Sequence, residues 1–191
     1  MKDPVIVVTG AGKGIGRAIV LDLISRSQMT QEFGAPRILA VSRTEFELQE
    51  LKAIAVAQGG VQFDYWVGDI ADPTAGGQIV QRAMSHYGRL DCLINNAGVG
   101  RFGDFLDLTL EDFDTVMETN LRGTFVLTQE AFRVMKAQGS GHFIFVTSVA
   151  AEKAFEQSAI YCMSKFGQKG LVEVLRLYGY RHNIRVTNVM P

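Results

Sequence analysis

The sequence predicts an α/β domain in which helices cover both faces of a doubly wound parallel sheet. Short apolar runs alternate with longer segments of helical period, which is typical of parallel sheets. A glycine-rich turn joins the first apolar run to the first helical segment. The 191 residues, 47% of them hydrophobic, can form one buried core without metals or disulfides. Right-handed crossovers then favour the strand order 3-2-1-4-5-6.

Each predicted strand is a short apolar run, and the runs are Val5–Thr9, Arg37–Val41, Val61–Val67, Leu90–Ile94, His142–Thr147 and Arg185–Val189. The segments between them have helical period and predict helices over Gly14–Arg26, Glu45–Gln58, Pro73–Tyr87, Thr109–Ala137 and Ser158–Tyr180. The fourth predicted helix opens with Thr109 followed by Glu111 and Asp112, which resembles a capping box.

Two features of the chain depart from the usual pattern. Ser27–Pro36 is longer and more polar than most helix-to-strand connections, so we expect a surface extension there. The sixth predicted strand is followed only by Met190 and Pro191, whereas binding loops in such folds follow the carboxyl ends of strands. We therefore expect residues 1–191 to be a single domain that lacks a C-terminal substrate loop and a seventh strand.

Charge and cysteine content narrow the class of protein. With 19 basic and 20 acidic residues, the net charge of −1 gives no electrostatic reason to expect a nucleic acid or a membrane as partner. Cys92 and Cys162 do not make a disulfide framework, and the N-terminal apolar run stops at Gly10, unlike a signal peptide. We expect a cytoplasmic location. No metal site is expected, because no metal-ligand spacing relates the cysteines to His86, His142 and His182.

The segment Thr9–Gly16 follows an apolar strand and leads into an amphipathic helix. Its glycines permit a tight turn and let backbone amides approach a pyrophosphate at the positive end of the helix dipole. This arrangement predicts a Rossmann-type dinucleotide site. Its residues are Gly10, Gly12, Lys13, Gly14, Ile15 and Gly16.

The residues after the second predicted strand favour NADPH over NADH. NAD-binding sites usually carry an acid at this place, which accepts from the ribose 2′-hydroxyl. Here the chain reads Ser42, Arg43, Thr44, and Arg43 together with Lys13 can bind a 2′-phosphate. The alternative is that these two cations are simply solvated at the surface.

Tyr161 and Lys165 are four residues apart in a predicted helix and therefore lie on one face. A free tyrosine is a poor acid at neutral pH, but a cation about 4 to 6 Å away favours the phenolate. Lys165 can thus tune Tyr161 for proton transfer. Taken alone, the pair is uninformative, because this spacing more often reflects a core ring beside a surface charge. Other polar and small residues in the chain favour the proton-transfer interpretation. They are Asn96, Ala97 and Gly98 after the fourth strand, Asn120 within the fourth helix and Ser148 after the fifth strand.

With these motifs from Thr9 to Lys165, the chain resembles the short-chain dehydrogenase/reductase family. The resemblance implies that Ser148, Tyr161 and Lys165 form the catalytic set and that Asn120 completes a proton relay by holding a water through a locally distorted helix. It also implies that Ser148 binds the substrate carbonyl and that Lys165 binds the nicotinamide ribose. The cofactor residues it adds are Asn96, Ala97, Gly98, Asp69 at the adenine, and Ile70.

Within the family the chain resembles bacterial sepiapterin reductases, which reduce carbonyls on a pterin side chain. The likeness rests on Ser27–Pro36, on residues 98–103 and on residues 146–167. A flat pterin is expected to stack on an aromatic wall, for which Phe102 and Phe155 are candidates, although either can be a core residue. Alternative functions are reduction of a 3-oxoacyl thioester or a sugar, and an NADPH-binding scaffold without turnover. Relatives imply a homodimer or homotetramer that pairs through the fourth and fifth helices.

Overall fold

The computed structural model describes residues 3–26 and 34–191. Its strands are β1 (Val5–Thr9), β2 (Arg37–Ser42), β3 (Gln62–Val67), β4 (Cys92–Asn95), β5 (Gly141–Val146) and β6 (Ile184–Val189). They form one parallel sheet in the order β3-β2-β1-β4-β5-β6, which confirms the predicted fold class and strand order. The predicted extension at Ser27–Pro36 lies largely outside the described residues.

The helices are α1 (Gly14–Arg26), α2 (Glu45–Gln58), α3 (Ala75–Tyr87), α4 (Leu110–Met117), α5 (Thr124–Gln138) and α6 (Ala159–Tyr180). The predicted bounds of α1 and α2 are confirmed at both ends. In the described ranges no helix has the length and apolar character needed to cross a membrane.

The helix predicted over Thr109–Ala137 is present from Leu110 to Gln138, but it is not α-helical throughout. Thr109 does form a capping box, since its hydroxyl accepts from the Asp112 amide at 3.1 Å and the Asp112 carboxylate accepts from the Thr109 amide at 3.2 Å. Between α4 and α5, however, residues Glu118–Gly123 form a π-helical segment. Such segments widen the turn and are frequent at functional sites.

Alternate residues of β1 pack into the apolar layers on the two opposite faces of the sheet. Val5 and Val7 belong to the apolar layer on the side of α3, α5 and α6. Ile6 and Val8 belong to the layer on the side of α1 and α2. Because all strands are parallel, their carboxyl ends meet at one edge of the sheet, and the loops there build the site.

Candidate active site

The turn between β1 and α1 holds the backbone in a form that larger residues would disrupt. Gly10 has a φ of +64°, in the left-handed region. A Cβ on Gly16 would lie 2.2 Å from the carbonyl oxygen of Gly10, so only glycine permits this approach of helix and strand. The turn therefore stays tight at the start of α1, as binding of a pyrophosphate requires.

Thr9 joins this turn to the loop after β4. Its hydroxyl oxygen accepts from the backbone amides of Asn96 and Ala97, at 3.0 Å each. The side-chain amide of Asn96 donates to the Thr9 carbonyl oxygen at 3.0 Å. Sequence reasoning did not single out Thr9 as a site residue. The available signal is its place as a polar residue at the carboxyl end of a buried strand.

A cleft at the carboxyl edge of the sheet brings most of the predicted cofactor residues together. Those that line it are Gly10, Gly12, Lys13, Ile15, Ser42, Arg43, Asp69, Ile70, Asn96, Ala97 and Gly98. Gly14 and Gly16 contribute to the turn and are not part of the lining. The glycine turn, the cations and the extended cleft fit a phosphorylated dinucleotide.

At one end of the cleft, Arg43 is paired within the protein. Its guanidinium lies 3.3 Å from the carboxylate of Asp69. Both side chains are more than one third exposed, at 60% and 40%, so water screens the pair. Lys13 lines the same cleft. Two cations are thus available for an anionic group at this place.

A second cavity adjoins the cleft, and the two share Ile15, Asn96, Gly98 and Val99. This cavity brings together Ser148, Tyr161, Lys165 and Phe102. The ring centroids of Phe102 and Tyr161 are 5.5 Å apart. These four predicted site residues therefore surround one space that continues from the cofactor cleft.

Phe155 is not brought to this cavity. Its side chain is 43% exposed, and the ammonium of Lys153 lies 5.8 Å from its ring centroid. The described residues that line the cavity do not include it. The prediction that Phe155 forms part of the substrate wall therefore has no support in the geometry. The reason is that residues 152–158 follow a turn that directs them outward, which sequence proximity to Ser148 does not reveal.

Ser148 precedes a short 3-10 turn at Val149–Ala151 and acts as its cap. Its hydroxyl oxygen accepts from the Ala150 amide at 3.1 Å. Because the oxygen is the acceptor in this bond, the hydroxyl hydrogen can still donate. The cap fixes Ser148 at the wall of the cavity as a donor.

The Tyr161 and Lys165 side chains lie on one face of α6, with the Lys165 ammonium 5.6 Å from the Tyr161 ring centroid. Lys165 is 3% exposed and donates to the carbonyl oxygen of Val146 at 3.3 Å. Burial lowers the pKa of Lys165 to about 8, because a low-dielectric environment disfavours its charged form. The ammonium is therefore both close to the phenol and able to release its proton near physiological pH.

Asn120 lies in the π-helical segment and is fully buried. Its side-chain amide accepts from the Val99 amide at 2.8 Å and donates to the Val99 carbonyl oxygen at 2.8 Å. It also donates to the Ser164 hydroxyl at 3.0 Å. In these bonds the Asn120 amide both accepts and donates. They join the π-helical segment to Ser164 of α6 and to Val99 of the loop after β4. The distorted helix at Asn120 is thus present, and Ser164 is a further contact that the sequence analysis missed.

Residues 3–26 and 34–191 contain no cluster of three metal-ligating side chains. Cys162 is buried in α6, and desolvation raises the pKa of the Cys92 thiol to about 12.

Comparison with known proteins identifies the family. The family model described as short chain dehydrogenase matches residues 4–191. The chain is 49% identical over 187 residues to a sepiapterin reductase of Chlorobaculum tepidum, covering 98% of this chain and 76% of that protein. It is 35% identical to the L-xylulose reductase of Homo sapiens, covering 97% of this chain and 70% of that protein.

Solved structures agree with this result. A metagenomic short-chain oxidoreductase in complex with NADP superposes with a TM-score of 0.89 at 30% identity, covering all of this chain and 82% of that one. A 3-ketoacyl-ACP reductase from Sinorhizobium meliloti gives a TM-score of 0.89 at 31% identity, covering 98% of this chain and 71% of that one. The chain belongs to the short-chain dehydrogenase/reductase family and is an oxidoreductase of that family.

Proposed function

We propose that the protein is an NADPH-dependent carbonyl reductase whose substrate is a ketone on the side chain of a pterin. The observation that carries the proposal is the continuous space in which the glycine turn and Arg43 lie at one end and Tyr161 and Lys165 at the other. Such a space can hold a dinucleotide with its reactive end beside a proton donor.

The charges in the cleft support NADPH rather than NADH. Ser42 stands at the end of β2, where an acid would serve a free ribose hydroxyl. Arg43 and Lys13 are positioned to bind a 2′-phosphate, since both line the cleft. The metagenomic relative crystallised with NADP is consistent with this choice.

When bound, NADPH supplies the hydride that reduces the carbonyl carbon. Negative charge then develops on the carbonyl oxygen, where preorganised hydroxyl donors stabilise it most. Ser148 and Tyr161 are those donors, and Tyr161 transfers its proton to the oxygen. The Lys165 ammonium, 5.6 Å from the ring centroid, offsets part of the negative charge that this transfer leaves on Tyr161. Asn120 holds the backbone of the cavity loop in place through its two bonds to Val99.

Phe102 supports an aromatic substrate. Its ring lies against Gly100, where a Cβ would come within 2.5 Å of the ring's Cζ. The ring is 64% exposed and faces the cavity beside Tyr161, so it offers a flat apolar surface for a pterin. The 49% identity to a sepiapterin reductase favours the same substrate class.

The rival substrates are a 3-oxoacyl thioester and a sugar, which the 3-ketoacyl-ACP and L-xylulose reductases among the relatives represent. The deciding experiment compares kcat/KM for sepiapterin, an acetoacetyl thioester and L-xylulose, with NADPH in each case. We expect the highest value for sepiapterin. A higher value for either rival would contradict the pterin assignment, and NADPH binding without any turnover would favour a scaffold.

The surfaces of α5 and α6 support a homodimer or homotetramer. Apolar side chains remain exposed there, namely Phe125, Phe166, Val174 and Leu177. Pairing of two subunits would remove them from water. Sedimentation at micromolar concentration tests this, and a monomer would contradict it.

A cytoplasmic location is part of the same proposal, supported by two free cysteines among the described residues.

A further inference from the structure

Gln168 lies one turn after Lys165 in α6, outside the group of side chains that line the cavity. It is 2% exposed, which is unusual for a glutamine. Its side-chain oxygen accepts from the Lys165 ammonium at 3.0 Å. Its side-chain nitrogen donates to the backbone carbonyl oxygen of Asn120 at 2.6 Å and to the Thr124 hydroxyl at 3.4 Å. One amide thus joins the buried lysine to the π-helical segment.

An amide suits the chemistry of the two main partners. The ammonium of Lys165 can only donate hydrogen bonds, and the carbonyl oxygen of Asn120 can only accept them. A bridging side chain must therefore accept at one end and donate at the other. Neither an ionised glutamate nor an apolar residue of the same size satisfies both ends.

The π-helical segment makes the carbonyl of Asn120 available. In an α-helix, the Thr124 amide would donate to the carbonyl four residues earlier, which is that of Asn120. Here the Thr124 amide donates to the Leu121 carbonyl instead. The Asn120 carbonyl is thereby released from its α-helical partner and is directed to Gln168.

Lys165 depends strongly on this contact. Besides Gln168, it donates to the Val146 carbonyl oxygen of β5, at the longer distance of 3.3 Å. The Tyr161 ring faces it from α6, and Gly98 of the loop after β4 lies beside it, where a Cβ would come within 3.6 Å of the ammonium. Desolvation is the single cause that lowers the pKa of Lys165 to about 8, with no contribution from a charged neighbour. A neutral acceptor on Gln168 is therefore important in holding the ammonium.

We propose that Gln168 is a positioning residue for this reaction, whose amide holds the Lys165 ammonium in place and ties it to the Asn120 backbone. The proposal rests on the proposed function, because it takes Tyr161 and Lys165 as the reacting pair. In this arrangement a side chain, fixed at both ends, sets the position and protonation of the lysine.

The test measures kcat and KM across neutral and alkaline pH for wild type, Gln168→Leu and Gln168→Glu, with NADPH and sepiapterin. Loss of a hydrogen bond to the ammonium should lower kcat/KM of Gln168→Leu by about tenfold and move the alkaline limb of the profile down by about one pH unit. Gln168→Glu should move that limb upward, because a carboxylate favours the ammonium.

The matched control is Thr128→Val. Thr128 is also buried, and its hydroxyl accepts from Asn95 at 3.1 Å, away from the lysine. We expect this variant to lose stability without moving the alkaline limb. A merely structural role for Gln168 would give the same behaviour in both Gln168 variants, and that result would overturn the proposal. If Gln168→Leu does not fold, the absence of an upward shift in Gln168→Glu would overturn it.

A separate variant distinguishes failure of the inference from failure of the proposed function. Tyr161→Phe removes the hydroxyl that transfers the proton. If it retains turnover, the reaction does not use this site, and the proposed function fails together with the inference. If it loses turnover while the Gln168 variants keep the wild-type pH profile, the proposed function stands and only the role of Gln168 fails.

Discussion

The guanidinium of Arg43 forms an ion pair with the carboxylate of Asp69, 3.3 Å away, across the end of the cofactor cleft. The pair joins the loop after β2 to the loop after β3. Because both groups are substantially exposed, the pair is weak and can exchange Asp69 for a phosphate at small energetic cost. The residue that would recognise NADPH is thus held near its working place by an internal carboxylate.

The first prediction concerns cofactor choice. In the double variant Lys13→Ala/Arg43→Ala, the KM for NADPH should rise by roughly 100-fold or more, since each of the two charge-assisted contacts contributes about 1.5 to 3 kcal/mol. The KM for NADH should change little. Steady-state kinetics with both cofactors measures the ratio, and an unchanged ratio would refute the assignment. Arg26→Ala, at the far end of α1, is the control because its ion pair with Asp22 is remote from the cleft.

The second prediction concerns stability and pH. The pKa of Lys165 falls from 10.5 to about 8 in the folded state. Between these pH values the unfolded chain therefore binds one more proton than the folded chain at this group, and stability rises with pH. Relative to Lys165→Met, wild type should gain up to about 1.4 kcal/mol of unfolding free energy per pH unit in this window.

Urea unfolding of both proteins at several pH values measures this difference. Below pH 8 the two curves should run parallel, because the lysine is protonated in both states. A constant difference across the alkaline window would show that the lysine is not desolvated as the structure indicates.

The third prediction concerns the π-helical segment. A Cβ on Gly123 would lie 2.3 Å from the carbonyl oxygen of Ile70, a residue that lines the cofactor cleft. Gly123→Ala should therefore lower stability by about 1 to 3 kcal/mol through overpacking and weaken NADPH binding. Thermal unfolding and a binding titration check both effects. Gly77→Ala in α3, where a Cβ meets open space, should raise stability by up to about 1 kcal/mol and leave binding intact.

The fourth prediction separates the two candidate aromatic residues. Phe102→Ala should raise the KM for sepiapterin by about tenfold, because an aromatic pair contributes roughly 0.5 to 1.5 kcal/mol beyond its buried area. Phe155→Ala should leave the KM unchanged, since that ring lies outside the cavity lining. Equal effects of the two substitutions would contradict the geometry.

The sequence predicted the fold and the shared helical face of Tyr161 and Lys165 because both depend on local patterns. Apolar runs indicate where the strands lie, and the glycine turn indicates where α1 begins. The right-handedness of the crossover connections then favours the observed order of the parallel strands. The spacing of Tyr161 and Lys165 places them on one helical face, as the structure confirms. These features need no knowledge of distant contacts.

The features that the sequence did not predict depend on contacts between distant segments. Helical period alone could not show the π-helical turn at Asn120, which comes with Asn120 bonding to Val99 and Gly123 packing against Ile70. The pairing of Arg43 with Asp69 joins residues 26 positions apart. Phe155 was misplaced for the same reason, because the direction of a loop is set by its surroundings.

The central claim is that the Tyr161 hydroxyl transfers a proton in a reaction driven by NADPH. It is tested most directly by measuring NADPH oxidation in Tyr161→Phe. Binding of NADPH is measured in the same variant by energy transfer from Trp66 to the cofactor. Trp66 is the single tryptophan, and its ring lies against Gly68 of the cleft. We predict a loss of kcat of about 10²- to 10⁴-fold or more, with an unchanged Kd for NADPH. Turnover at the wild-type rate in this variant would contradict the account.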